Sequence, residues 1–161
     1  MYNNIVDTIE SLLVTSGFVI SKETITLEEL PSSISDKAFS VTLEGIEAST
    51  ADLQDRFFPL EKIKITAVYF IGNNSFAKYE NGVAWNEDLI SLVMNPSNWH
   101  ADTRNVSFAG SAITTKTSEA QNYLMIENTF NIEVSLLYVP SLTDNVYTDT
   151  TVDETIDAGV Y

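Results

Sequence analysis

Apolar and polar residues alternate over one long stretch, residues 123–139, which reads YLMIENTFNIEVSLLYV. Because side chains alternate between the two faces of a strand, this pattern predicts one antiparallel strand with a buried face and a solvated face. Asn128 is the only interruption on the apolar face. The other members of that face are Leu124, Ile126, Phe130, Ile132, Val134, Leu136 and Tyr138.

The length of this strand has a consequence for its surroundings. At ~3.4 Å per residue it would span roughly 50 Å, whereas strands in globular domains rarely exceed about ten residues. One small domain cannot cover an apolar face of that length by itself. We therefore expect either that the strand bends over its own core or that another copy of the protein covers part of it.

Two stretches have the spacing of amphipathic helices. In residues 2–16 the apolar positions recur at i, i+3 and i+4, and Gly17 follows as a helix-ending residue. Residues 85–95 form the second predicted helix, which Pro96 ends. Both apolar stripes are typical of helices that pack on a core.

Shorter alternating stretches predict further strands, and an Asn-Gly pair predicts a turn. Asn81 and Gly82 would close a small hairpin over residues 76–85. Gly45 indicates a bulge or the end of its strand, and Gly110 indicates a bend. The predicted strands cover residues 25–27 (a short strand), 37–46, 61–71 and 105–117, and in the last of these Val106, Phe108 and Ala112 are expected to share a face.

The strand 61–71 changes character along its length. One face is polar at Lys62, Lys64 and Thr66 but becomes apolar at Val68 and Phe70. This change predicts that the far end of the strand is covered on both sides.

The order helix, strand, strand, helix, strand, strand predicts an α+β fold with a mainly antiparallel sheet and two helices packed against it. We assign residues 1–140 to this domain. Residues 141–161 form an acidic C-terminal extension, either without order when alone or an arm that docks on a neighbour.

Composition and charge argue against several classes of protein. The hydrophobic fraction of 44% is too high for a wholly disordered chain. No apolar run reaches the ~20 residues of a membrane helix, and the N-terminus lacks the basic region of a signal peptide, so we expect no membrane association. The net charge of −15 repels nucleic-acid phosphates, so we expect no specific nucleic-acid binding. The charge suits either solubility or a surface past which DNA slides without sticking.

Residues able to carry out catalysis are scarce. Cysteine is absent, and His100 is the only histidine, which leaves no thiolate or histidine-rich metal site. Ser111 lacks the flanking glycine spacing of a nucleophile elbow. No phosphate loop or dinucleotide fingerprint occurs. We therefore expect no catalytic residue, no metal and no cofactor.

Several segments together resemble a known family. A helix ending in GF leads to AFSVTLEG and EKIKITAVYFIG, then to a helix closing on NPSNW, and finally to DTRNVSFAG and a strand ending in SLLYV. This order is similar to that of the tail terminator proteins (also called tail completion or minor tail proteins) of long-tailed bacteriophages. The resemblance covers roughly residues 1–139 and rests on element order and strand texture.

The resemblance implies a structural virion protein of the tail or neck, assembled in the host cytoplasm. Members of this family form a ring, usually hexameric, that caps the tail tube and ends its polymerisation. The implied partners are other copies of the chain, the tail tube protein and the head–tail connector protein, while DNA passes through the ring. The family has no catalytic residues.

Three alternatives stay open at this stage. The chain could be a tail tube protein or a head–tail connector component with a similar small body. It could instead be an acidic inhibitor that mimics DNA, or, least expected, an enzyme using His100 or a pair of carboxylates. For the assembly functions, the candidate subunit or partner interface comprises Phe57, Phe58, Trp99, Arg104 and Tyr147.

Overall fold

The computed structural model describes residues 2–31, 33–48, 59–72, 76–100, 103–118 and 121–134. The elements in chain order are α1 (Tyr2–Thr15), β1 (Val19–Ile20), β2 (Ala38–Ala48), β3 (Pro59–Gly72), α2 (Phe76–Met94), a short 3₁₀ turn (Pro96–Asn98), β4 (Thr103–Ser118) and β5 (Gln121–Val134). The predicted α+β class is confirmed.

Helix α1 ends where the sequence predicts, and its hydrogen bonds show why. Gly17 has φ +91, a conformation that glycine adopts without strain. The Phe18 amide then donates to the Leu13 carbonyl at 2.9 Å, and the Gly17 amide donates to the Val14 carbonyl at 3.1 Å. This pair of bonds is a Schellman motif, which turns the chain so that Phe18 enters the core.

The five strands form one sheet in the order β1-β2-β3-β5-β4. The short β1 pairs with β2 in parallel, and all other neighbours are antiparallel. The long strand of the sequence prediction is therefore central, between β3 and β4. Strand β4 is at one margin of the sheet and β1 at the other.

The two helices cover one face of the sheet, and the main core lies between them and β3 and β5. The fully buried side chains of this core include Ile9, Leu13, Phe39, Ile63, Ile65, Tyr69, Leu89, Leu124, Ile126 and Phe130. The predicted apolar face of the long strand is thus confirmed from Leu124 to Val134. Of the residues 135–139, which the prediction also included, nothing is described.

The opposite face is divided as the pattern of β3 predicts. At one end Val68 packs with Ile25, Ala38 and Met125 in a second, smaller core beneath the segment that joins β1 to β2. At the other end the face is polar and accessible to solvent. The described residues therefore cover both sides of the sheet only over part of its length.

Both predicted irregularities are present. The β2–β3 register shifts between Leu43 and Gly45, and the β4–β5 register shifts between Phe108 and Gly110. Gly110 has φ +146. The second shift corrects one prediction, because Ala112 is paired with Glu127 on the polar face whereas Phe108 is paired with Phe130 on the helix-covered face.

The structure corrects two further predictions. The Asn81-Gly82 pair does not form a turn, because α2 begins at Phe76 and continues through it. Residues 25–27 form no strand, and the minor strand is Val19–Ile20 instead. In both cases contacts with the sheet override the local preference of the sequence.

Candidate assembly surface

The candidate interface residues are not assembled into one site by the described structure. Phe57, Phe58 and Tyr147 lie outside the described residues. Arg104 lies in β4, but its side chain is outside the described part of the chain. The interface they were expected to form therefore remains a prediction, and only the surroundings of Trp99 can be stated.

Trp99 closes the C-terminal end of α2. Its indole Nε1 donates to the Val93 carbonyl at 2.7 Å, and the Asn98 side-chain amide donates to the Leu92 carbonyl at 2.9 Å. These bonds satisfy two carbonyls that a helix end leaves without intrahelical partners. Trp99 is half-buried and packs against the core, so its first role is structural.

The outer margin of β4 carries two exposed large apolar residues. Phe108 is 39% exposed and Ile113 is 53% exposed. The register places both, with Ser111 between them, on the face that the helices cover elsewhere. We call Phe108, Ser111 and Ile113 the β4 surface.

The sequence interpretation missed this surface for a physical reason. The bulge at Gly110 changes which residues share a face, so Ser111 and Ile113 join Phe108 in place of Ala112. Phe108 also packs on Phe130, with ring centroids 5.5 Å apart, so the exposed strip is continuous with the core.

The charge of β4 differs from that of the whole chain. Strand β4 contains Arg104 and Lys116 and no acidic residue, in a protein whose net charge is −15. Lys116 is on the opposite face from Phe108 and Ile113 and donates to the Glu28 carbonyl. The β4 surface is therefore suited to a partner that offers apolar side chains, and no carboxylate of β4 would repel an acidic one.

The solvated face of the sheet is occupied by ion pairs. Lys62 contacts Glu47 at 2.6 Å, while Lys64 bridges Glu44 at 3.2 Å and Glu127 at 3.1 Å. These hydrogen-bonded carboxylates raise the pKa of both lysines, so both stay charged at neutral pH. The two lysines thus engage three carboxylates of this face.

Asn128, which interrupts the apolar face, belongs to a buried polar network. The Asn86 amide Nδ2 donates to Asn128 Oδ1 at 3.0 Å, and Asn128 Nδ2 donates back to Asn86 Oδ1 at 2.8 Å. The Tyr69 hydroxyl donates to Asn86 Oδ1 at 3.2 Å, and Ser111 Oγ donates to Asn128 Oδ1 at 2.6 Å. We call Tyr69, Asn86, Asn128 and Ser111 the amide network.

The amide network connects the β4 surface to the core. Burial raises the pKa of Tyr69, so its hydroxyl is neutral and available as a donor at physiological pH. Ser111 donates to an amide oxygen, which does not act as a base, so this arrangement does not activate the serine as a nucleophile. These hydrogen bonds fix the positions of the strands β3, β5 and β4 and of the helix α2 relative to one another.

Two open pockets on the described surface carry candidate polar groups. One of about 430 Å³ is lined by Phe18, Lys37 and Trp85, and the Lys37 ammonium lies 5.0 Å and 4.8 Å from the two ring centroids. His100 is exposed beside Asp7 and Ser11 in an open pocket of about 360 Å³. Within the described ranges no group of three or more His, Asp or Glu side chains could hold a metal ion.

One buried carboxylate stands apart from these contacts. Glu61 on β3 is 3% exposed, and its Oε2 has no hydrogen-bond partner. Burial raises its pKa, and the positive charge of the amino terminus offsets this only in part. Because the folded-state pKa is raised, Glu61 contributes stability at pH values below its unfolded pKa, and that contribution is lost as the pH rises through the folded pKa.

Glu61→Gln should therefore stabilise the protein by on the order of 1 kcal/mol at pH 7, because it removes a buried charge. This gain in the free energy of unfolding should be smaller when urea unfolding is measured at a pH near 4. Glu80→Gln on the exposed side of α2 is the matched control and should change the free energy of unfolding by less than ~0.5 kcal/mol. An equal gain at both pH values would contradict the role assigned to burial.

Comparison with known proteins gives one structural neighbour to report. No family model matches the chain, and no curated protein matches it. Among solved structures, a chain described as "Virion of native gene transfer agent (GTA) particle" is similar over 81% of this chain and 91% of that chain, with 12% identity and a TM-score of 0.46. A similarity at this level does not bear on function. No helix in the described ranges is long and apolar enough to span a membrane.

Proposed function

We propose that this protein is a structural component of a phage-like virion and acts as a tail terminator. In this proposal, copies of the chain close into a ring that caps the tail tube, ends its polymerisation and joins the tail to the head connector. The observation that carries the proposal is the β4 surface, an apolar strip at an unpaired sheet margin that a neighbouring subunit would cover.

The fold supports this proposal through its element order. The segments that carry the resemblance to tail terminators coincide with elements of the structure: AFSVTLEG begins β2, EKIKITAVYFIG lies in β3, and NPSNW follows α2. The segment DTRNVSFAG leads into β4, the strand that carries the exposed strip. The resemblance therefore includes the strand through which the ring would form.

The contacts in such a ring are heterologous. A surface on one subunit meets a different surface on the next, and a closed ring results when the rotation between subunits closes. The β4 surface is one half of this contact. The acidic character of the chain is compatible with a channel through which DNA passes, because like charge prevents the DNA from binding to the wall.

The alternative of a DNA mimic finds less support in the structure. A mimic needs rows of free carboxylates that imitate phosphates. On the solvated face of the sheet, Glu44, Glu47 and Glu127 are instead paired with lysines. The connector and tube alternatives use the same fold and differ in the position of the subunit along the particle.

The test is a tube-growth assay. Purified protein is added to polymerising tail tube protein of the same particle, and tube lengths are measured by electron microscopy. Wild type should bind only at tube ends and should shorten the tubes. Ile113→Asp should abolish capping, because it places a carboxylate where the neighbouring subunit would have to exclude water.

Ile46→Asp is the matched control. Ile46 is 57% exposed on β2, away from β4, and the same substitution there should leave capping unchanged. The thermal unfolding of both variants is measured first, and both should fold. Tubes that grow to normal length with wild type, or that are decorated along their sides, would reject the terminator function in favour of a connector or tube role.

A further inference from the structure

We propose that residues 135–161 of one subunit bind the β4 surface of a neighbouring subunit. The inference rests on the proposed ring and names the contact that closes it. It joins two features: the open margin of β4 on one subunit and the chain beyond β5 on the next.

The first feature is the outer margin of β4. In the described part of the sheet β4 pairs only with β5, so the backbone groups on its other side have no strand partner. An open margin of this kind can accept an added strand, which gains main-chain hydrogen bonds from it. Phe108 and Ile113 offer apolar contacts to the side chains of such a strand.

The second feature is the chain beyond Val134. The ladders of β5 with its two neighbours reach their last described pairs at Leu60–Glu133 and Thr103–Val134. The alternating pattern nevertheless continues in the sequence through Leu136 and Tyr138. The sequence pattern of this strand therefore extends past the last described residue of β5.

Charge permits the two features to meet. Residues 135–161 contain five carboxylates, Asp144, Asp149, Asp153, Glu154 and Asp157, and no basic residue. Strand β4 contains no acidic residue, so in a protein of net charge −15 it is a strand with no carboxylate of its own to repel this segment. Its Lys116 is on the opposite face from Ile113 and donates to the Glu28 carbonyl.

The direction of β5 and the length of residues 135–161 favour docking on a neighbouring subunit over docking on the same subunit. Strands β5 and β4 are antiparallel, and Phe108 and Ile113 lie opposite Phe130 and Ile126. A chain that continues past Val134 therefore moves away from its own β4 surface. At ~3.3 Å per residue the segment could extend to roughly 90 Å, which is enough to cross onto an adjacent small domain.

The natural absence of cysteine allows a direct test by crosslinking. Two full-length single-cysteine variants are prepared, Ile113→Cys in β4 and Tyr147→Cys in the C-terminal segment, and one carries a mass tag. They are mixed and treated with a short bismaleimide crosslinker. One arm uses high salt, which screens the repulsion between subunits, and a second arm uses protein bound to tail tubes.

Val19→Cys replaces Ile113→Cys in the control mixture. Val19 is 44% exposed on β1, at the opposite margin of the sheet. The Ile113→Cys mixture should yield about tenfold more mixed dimer than the control, because docking raises the local concentration of the two thiols. A yield no higher than the control in both arms would overturn the proposal.

A doubly substituted chain, with Ile113→Cys and Tyr147→Cys together, separates a neighbour from the same subunit. A crosslink confined within this one chain, with no mixed dimer from the two single variants, would also overturn the proposal. Failure here can be told apart from failure of the proposed function. Absent crosslinks with capped tubes would reject only the docking site, whereas mixed dimers with uncapped tubes would support the docking site and reject the terminator role.

Discussion

Replacing Asn128 by leucine should lower the free energy of unfolding by about 3 kcal/mol, because it leaves buried polar groups without partners. Asn128 is fully buried and bonds both to Asn86 and to the Ile65 carbonyl. Leucine has a similar volume but offers neither a donor nor an acceptor. Urea unfolding monitored by circular dichroism measures the loss directly.

A double-mutant cycle shows whether the cost arises from the broken pair. Asn86→Leu alone should also lower the free energy of unfolding, because Asn128 and the Tyr69 hydroxyl both lose their hydrogen bonds to Asn86. The double variant should lower the free energy of unfolding by clearly less than the sum of the two single losses, because no unpaired amide then remains between α2 and β5. Additive costs would show that the two amides do not act as a pair.

The second large effect is expected at Gly82, where α2 lies closest to the sheet. A Cβ at this position would lie 2.9 Å from Leu124 Cδ2 and 3.2 Å from Tyr69 Cβ. Both neighbours are fully buried and cannot withdraw. Gly82→Val should therefore force the helix from the sheet and lower the free energy of unfolding by about 3 kcal/mol.

Ala84→Val separates this clash from the poor helix propensity of valine. Ala84 is exposed on the same helix, so the same new side chain meets solvent. This control should cost only about 0.5 kcal/mol in urea unfolding. Similar losses at both positions would mean that propensity, and not the close approach of helix and sheet, explains the glycine.

The strands were predictable because alternation reports directly on which face is buried. The faces of β3 and β5 follow the sequence pattern, including the point at which Val68 begins a second covered side. Gly45 and Gly110 also indicated the two register shifts. These features depend on local sequence, so a single chain is enough to predict them.

Features that depend on distant contacts were not predictable. Gly82 resembled a turn residue next to Asn81, but its role is to admit Leu124 and Tyr69 close to the helix. Asn128 stood out as an interruption, yet nothing local indicates that its partner is Asn86, 42 residues away. Long-range packing explains the glycine at position 82, and long-range hydrogen bonds explain the asparagine at position 128.

The candidate interface was predictable only in part. Apolar surface to be covered by a neighbour was expected, but the residues chosen were Phe57, Phe58, Trp99, Arg104 and Tyr147. That choice stays a prediction, and among the described side chains the exposed apolar residues of the sheet include Phe108 and Ile113 on β4, which were not chosen. The shift in phase after Gly110 exposes Ile113, and alternation alone did not indicate it.

The irregular margin of β4 also bears on aggregation. A long, flat, apolar edge would let separate copies pair edge to edge and aggregate. The bulge between Phe108 and Gly110 breaks the regular row of backbone groups, and Lys116 places a charge near one end of the strand. Edge-to-edge aggregation between copies is thereby discouraged, whereas a single extended segment of the kind proposed above could follow the bulge.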